Sequence, residues 1–237
     1  MAQYDMTPQT TFSTPYAADE RVTTFLRSVY GWMFAGLGIT AAIAYYVAQS
    51  PNLALAIASN PISRWGLIIA QLGIVFFLSA RVEKIAPSTA AMLFVLYSAL
   101  TGVTFSFILL AYTGASIAST FIVCSGMFGA LAFYGTTTSR SLAGWGQFLF
   151  MGLIGVVLAS IVGIFWQNDM FQFVLAFIGV IVFTGLTAYD AQRLKQMALM
   201  TPTGQLGSYA IVGALTLYLD FINLFLMLLR LFGSRRD

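Results

Sequence analysis

Polar residues are scarce along this chain, and they interrupt apolar runs rather than alternate with apolar positions. Seven such runs stand out, at 29–47, 65–80, 89–112, 115–134, 145–166, 171–192 and 209–232. Each approaches the ~20 residues that a helix needs to cross ~30 Å of hydrocarbon. A transmembrane β-barrel would show segments of about ten residues with alternating polarity instead. Inside a bilayer the backbone finds no water, so runs of this length resolve as helices. The fold class that follows is an all-α membrane protein with seven transmembrane helices. Several runs begin or end in Trp or Tyr, as interface anchors do.

The links between runs shape the topology. "YTGAS" and "WQND" are so short that runs three and four, and runs five and six, must form antiparallel hairpins. "AQSPNLALAIASNPISR" contains two prolines, which break a continuous helix and leave its middle along the interface. "AQRLKQMALM" extends the sixth run with good helix formers as far as the turn signal Thr201-Pro202-Thr203-Gly204. Residues 1–20 are polar, lack the pattern of a cleavable signal peptide and read as a mobile cytoplasmic tail. Residues 21–233 read as the seven-helix domain and 234–237 as a short basic tail. Gly155, Ala159 and Gly163, Ser125 with Gly129, and Gly126 with Ala130 recur at four-residue spacing, which predicts close helix approach there.

Charge adds orientation. Only 8% of residues are charged, against about 25% in a soluble domain. Arg21, Arg27, Arg81, Lys84, Arg140, Arg193 and Lys195 fall on one side of the alternating runs, and only Arg64 falls on the other before the last run. The positive-inside rule therefore puts the N-terminus in the cytoplasm. Seven crossings would place Arg230, Arg235 and Arg236 outside, against that rule. The net charge of +3 has no cluster beyond "SRRD", so no nucleic-acid partner is expected. Cys124 is the only cysteine and reads as a small buried hydrophobe. The absence of histidine excludes Ser-His and Cys-His catalysis and H-E-x-x-H metal sites. Neither an enzyme nor a resident cofactor is expected.

Two of the eight acidic residues lie inside apolar runs, Asp190 and Asp220. In "LTLYLDFINLFLMLLRLF" the carboxylate of Asp220 would cost about 2.5–3.5 kcal/mol at the centre of a bilayer. Measured from the turn near residue 203, Asp190 and Asp220 lie about 20 and 26 Å along their helices. The two therefore reach similar depth on antiparallel neighbours. Thr216, Asp220 and Asn223 share one face, and Thr187 shares another with Asp190. If the carboxylates meet, both do not ionise readily in a poorly solvated site, and they titrate as a unit. Such a pair would sense protons and, once deprotonated, admit a hard cation such as calcium. The plainer readings are an Asp190–Arg193 ion pair and a structural hydrogen bond from Asp220. Arg81 either snorkels to the headgroups or reaches Asp190 to lock the cytoplasmic mouth.

"FTGLTAYDAQRLK" followed by "LYLDFINLFLMLLRLFG" resembles the Bax inhibitor-1 family, also called transmembrane Bax inhibitor motif proteins. Residues 112–155 resemble its bacterial branch. The resemblance covers residues 20–233. It implies seven helices with the last one central, and a pH-sensitive calcium leak in a bacterial inner membrane. It implies that Asp190 and Asp220 share a proton, form a transient calcium site and gate the leak. Arg81 would be the latch, and Thr187, Thr216 and Asn223 supporting polar groups. Deprotonation and release of Arg81 would open the cytoplasmic mouth. Calcium is then the permeant ion, not a cofactor. Some bacterial relatives act on membrane proteolysis, so the alternative is a regulatory protein that binds a membrane protease or another integral partner without ion flux. This chain departs from the family pattern in its longer link, "LKQMALMTPTGQLGSYA".

Overall fold

Prolines and short polar side chains mark where the helices start. The computed structural model describes residues 15–50, 52, 56–57, 59–166 and 168–236. Helix α1 spans Pro15–Ala48. Helices α2 (Pro61–Arg81) and α3 (Pro87–Ala111) each open on a proline, whose missing N–H would be unpaired there anyway. Asn60 also caps α2, its Oδ1 accepting from Ile62 N at 2.9 Å. Thr113 opens α4 (Gly114–Thr137) and accepts from Ser116 N at 3.3 Å. Helix α5 spans Ala143–Phe165. Asn168 opens α6 (Asp169–Met200), accepting from Phe171 N at 2.9 Å. A 3₁₀ turn at Thr203–Gln205 leads into α7, Leu206–Phe232.

Among the described residues these seven helices are long and apolar enough to cross a membrane. The all-α class and the α5–α6 hairpin are as expected; α3 and α4 are joined by the expected short link but do not pack along each other, and each lies against α7 instead. The expected turn at 201–204 follows an α6 that runs unbroken past Asp190. Helix α7 is the axis of the bundle. Of its most apolar stretch, 72% is buried, against 6% to 39% for the others. It packs against α1, α3, α4 and α6. The outer helices present Phe34, Ile69, Phe148 and Ile164 outward, where hydrocarbon is the solvent.

Two ends of the bundle are tied by different bonds. At one end Arg21 Nε donates to Ala198 O at 2.7 Å and Arg21 also donates to Thr201 O. There too Ser208 Oγ donates to Ile85 O at 2.7 Å and Gln192 Nε2 to Arg140 O at 2.9 Å. The opposite end holds the 112–113 turn and the chain's last residues. Thr113 N donates to Ser234 O at 3.0 Å, Arg236 N to Ala111 O at 2.9 Å and Ser234 N to Ser116 Oγ at 2.8 Å. Helix α7 therefore runs the full height of the bundle, and α1 begins at the end opposite the one where α7 ends.

Three sequence expectations need correction or limits. Residues 15–20 belong to α1 rather than to a tail, because the helix continues back to Pro15; residues 1–14 lie outside the described residues. Part of the expected interface segment between α1 and α2, residues 51, 53–55 and 58, also lies outside them. Of the glycines in the predicted small-residue ridges, Gly163 stands at a close approach, since a Cβ there would lie 2.7 Å from Gln172 Nε2 on α6, and the others do not. A Cβ on Gly126, Gly129 or Gly155 would meet nothing within 4 Å, whereas one on Gly36 would lie 2.6 Å from Phe94 Cζ. One on Gly102 would lie 2.8 Å from Thr40 O, and one on Gly135 would collide with Ala188 O. Spacing alone does not reveal which small residues face a neighbour and which face lipid.

Candidate functional site

Helix α6 overshoots its hydrophobic run by two turns, and this brings Asp190 to the level of Asp220 on α7. Both residues are buried, at 7% and 5% exposure. Both line one cavity, and their carboxyl groups are close enough to act on each other across the α6–α7 interface. The longer 190–220 link does not keep them apart. Asp220 Oδ2 is enclosed and finds no protein donor. An ionised carboxylate only accepts hydrogen bonds, so this contact becomes a bond only when one of the two carries a proton. Burial without a donor costs most when both are charged. The arrangement therefore suits one proton held between the two groups, or a cation in its place.

A cavity of about 590 Å³ opens onto the pair between α5, α6 and α7. It runs from Gln147 and Arg193 at one end to Phe183 and Asn223 at the other, with Tyr189 and Thr216 on its wall. Thr216 Oγ1 donates to Val212 O at 3.1 Å and Asn223 Nδ2 donates to Leu219 O at 2.8 Å. Each thus keeps an oxygen acceptor free of its own helix. Thr187, the other expected polar neighbour, does not line the cavity; it is fully buried and donates to Phe183 O at 2.8 Å. Among the described residues no group of three Asp, Glu, Cys or His side chains comes together. Two carboxylates plus neutral oxygens suit brief occupation by a hard cation rather than a tight cage.

The cation beside the pair differs from the expected one. Arg81 is exposed at the end of α2 and does not line the cavity. Arg193, one turn beyond Asp190 on α6, lines it and acts on Asp190 electrostatically. Helical spacing explains this, since i and i+3 share a face. Three contributors were not singled out from sequence. Gly146 lets α5 close on Tyr189, because a Cβ there would lie 2.6 Å from Tyr189 Oη. Gln147 is an amide facing the cavity mouth. Gln192 fixes the α4–α5 link, its Oε1 accepting from Leu142 N at 2.7 Å while its Nε2 bonds Arg140 O. Only the amides carried a signal, as polar groups close to the ends of apolar runs.

Fold and site define a class: polytopic helical membrane proteins in which a central helix brings a buried carboxyl to a second one on its neighbour. The family model described as "Inhibitor of apoptosis-promoting Bax1" matches residues 22–237. The chain is 54% identical over 216 residues to the inner membrane protein YbhL of Escherichia coli strain K12, covering 90% of this chain and 92% of that protein. It is 44% identical over 215 residues to an uncharacterized protein of Borreliella burgdorferi, covering 90% and 93%. A Deinococcus radiodurans protein is 41% identical over 238 residues, covering 100% and 98%. The chain belongs to the Bax inhibitor-1 family and is a membrane-embedded member of it.

Proposed function

We propose that this protein is a passive calcium leak of the bacterial inner membrane, controlled by the protonation of the Asp190/Asp220 pair. The observation that carries the reading is the buried contact between the two carboxyls, with Asp220 Oδ2 lacking any protein donor. Such a contact holds a proton or a cation, and removing either leaves two like charges in a poorly solvated site. The cavity walls add neutral oxygens from Thr216 and Asn223, the ligand type that calcium takes. Family membership and the similarity to an inner membrane protein support the membrane. The excess of Lys and Arg at the end where α1 begins supports a cytoplasmic N-terminus. No latch from Arg81 is needed, since Arg193 is the cation at the cavity. The protein so read is not an enzyme, and calcium is its cargo.

The test is calcium entry into proteoliposomes, followed from acid to mildly alkaline pH. Wild-type flux is expected to change steeply with pH. Asp220→Asn keeps the shape of the side chain but cannot exchange the proton, so its flux should be flat with pH. A wild-type protein that conducts no calcium at any pH sinks the leak. A pH response unchanged in Asp220→Asn sinks the gate.

A further inference from the structure

On the side of α7 away from the aspartates, α1 and α4 stand apart. The gap is a crevice of about 840 Å³ lined almost wholly by apolar groups. Its floor is α7 itself, at Phe221 and Phe225. It extends along α1 from Tyr30 to Tyr45, about 22 Å of helix. That exceeds one leaflet, roughly half of the ~30 Å hydrocarbon core. Gly38 and Gly129 line it from opposite walls, and a Cβ on either would meet nothing within 4 Å. In a bilayer such a space fills with hydrocarbon.

One end of the crevice is not apolar. Thr136 lines it there, and Lys195 Nζ donates to Thr136 O at 2.8 Å. An ammonium has three donors, so two remain free of that bond. Arg27 lies one turn before Tyr30 on the same stripe of α1 and is exposed. The chain has no carboxylate between Glu20 and Glu83, nor between Glu83 and Asp169. Neither α1 beyond Arg21 nor α4 therefore offers these two cations an anion. A long apolar slot with Lys195 bonded to a residue at its end, and Arg27 one turn beyond it on α1, matches the shape and charge of an anionic lipid.

We propose that the α1–α4 crevice binds one anionic phospholipid from the leaflet in which α1 begins, with an acyl chain along Gly38 and Gly129 and the phosphate between Lys195 and Arg27. The chain would pack on Phe221, the residue next to Asp220, so that lipid occupancy bears directly on the central helix.

The test is native mass spectrometry of the full-length protein in detergent, titrated separately with phosphatidylglycerol and phosphatidylcholine. One phosphatidylglycerol per monomer is expected, bound more tightly than phosphatidylcholine. A basic residue near a membrane surface contributes about 1 kcal/mol toward an anionic lipid, so Arg27→Gln and Lys195→Gln should each weaken phosphatidylglycerol binding about fivefold. They should leave phosphatidylcholine binding unchanged. Gly129→Leu and Gly38→Leu fill the slot from opposite walls without touching backbone, and both should abolish retention. Equal affinity for the two lipids overturns the proposal, as does undiminished phosphatidylglycerol binding in both leucine variants. A dimer that Gly129→Leu converts to monomer also overturns it, because a second copy would then occupy the crevice.

Discussion

Gly102→Ala tests whether α1 and α3 are in fact as close as their glycine allows. The new Cβ would lie 2.8 Å from Thr40 O and 2.7 Å from Ile43 Cβ. Ordinary separations are about 3.3–3.6 Å for carbon to carbonyl oxygen and about 3.5–4.0 Å for carbon to carbon. The shortfall is therefore about 0.5–1.3 Å. The Thr40 carbonyl is backbone and cannot swing aside, so the helices must separate. Overpacking of this kind costs about 1–3 kcal/mol. Separation also strains the bond between Thr40 Oγ1 and Tyr218 Oη, which is 2.6 Å long, and its loss adds about 1 kcal/mol. A total of roughly 2–4 kcal/mol should lower the unfolding temperature by about 4–16 °C for a chain of this size. Thermal unfolding in one detergent, monitored by circular dichroism, measures this. Gly126→Ala is the control, since a Cβ there meets nothing within 4 Å. If Gly102→Ala unfolds at the same temperature as Gly126→Ala, the α1–α3 packing described here is wrong.

Tyr218→Phe keeps the ring between Phe94 and Tyr97, whose centroids are each 5.8 Å away, and removes only the hydroxyl. It should cost about 1–2 kcal/mol. Adding Thr40→Val should then cost less than Thr40→Val alone, because the orphaned partner is gone; an additive double mutant would show that the two hydroxyls are not coupled. Arg21→Gln releases the carbonyls of Ala198 and Thr201 at the end of α6 and should cost about 1.5–3 kcal/mol. Hydrogen exchange of the 201–206 turn should rise in that variant, and unchanged protection there would refute the tie.

How much of this was legible in the sequence depends on what a bilayer hides. Runs of apolar residues reported the seven helices directly, because lipid demands them. The same solvent made inward and outward faces look alike: Phe221 in the core and Phe148 on the lipid face are equally apolar letters. That is why spacing does not separate Gly163, which meets α6, from Gly126, Gly129 and Gly155, which meet no neighbour. Polar residues had no such ambiguity. Spacing puts Asp190 and Asp220 at similar depth and sets Thr216 and Asn223 on the face of Asp220, since a polar side chain in hydrocarbon turns inward; that the two carboxyls meet is what the family resemblance implies. Thr187 stays off the cavity wall because a threonine can satisfy itself on its own helix. Arg81 matches the family's latch by its position at a helix end, whereas reach across the bundle depends on helix tilt, which sequence does not carry.

The position of α7 constrains any account of gating. The aspartate cavity ends near Phe183 and Asn223. Beyond it, toward the end where Thr113 bonds Ser234, α7 carries Leu224, Phe225, Leu228 and Leu229, all buried. Phe225 stacks with Phe105 at 6.1 Å, and Phe121 packs edge-on against both Phe221 and Phe225. An ion leaving the cavity in that direction meets about two turns of apolar side chains, where an unpaired charge is costly. Titrating the carboxyl pair changes the charge on one side of that layer but removes none of it. If the proposed leak operates, a proton at Asp220 would control passage by moving α7, because Asp220, Phe221 and Phe225 ride on the same helix. In the leak proposed above, gating would therefore act through the axis of the bundle, and any group that packs on α7 near Phe221 would share control of it.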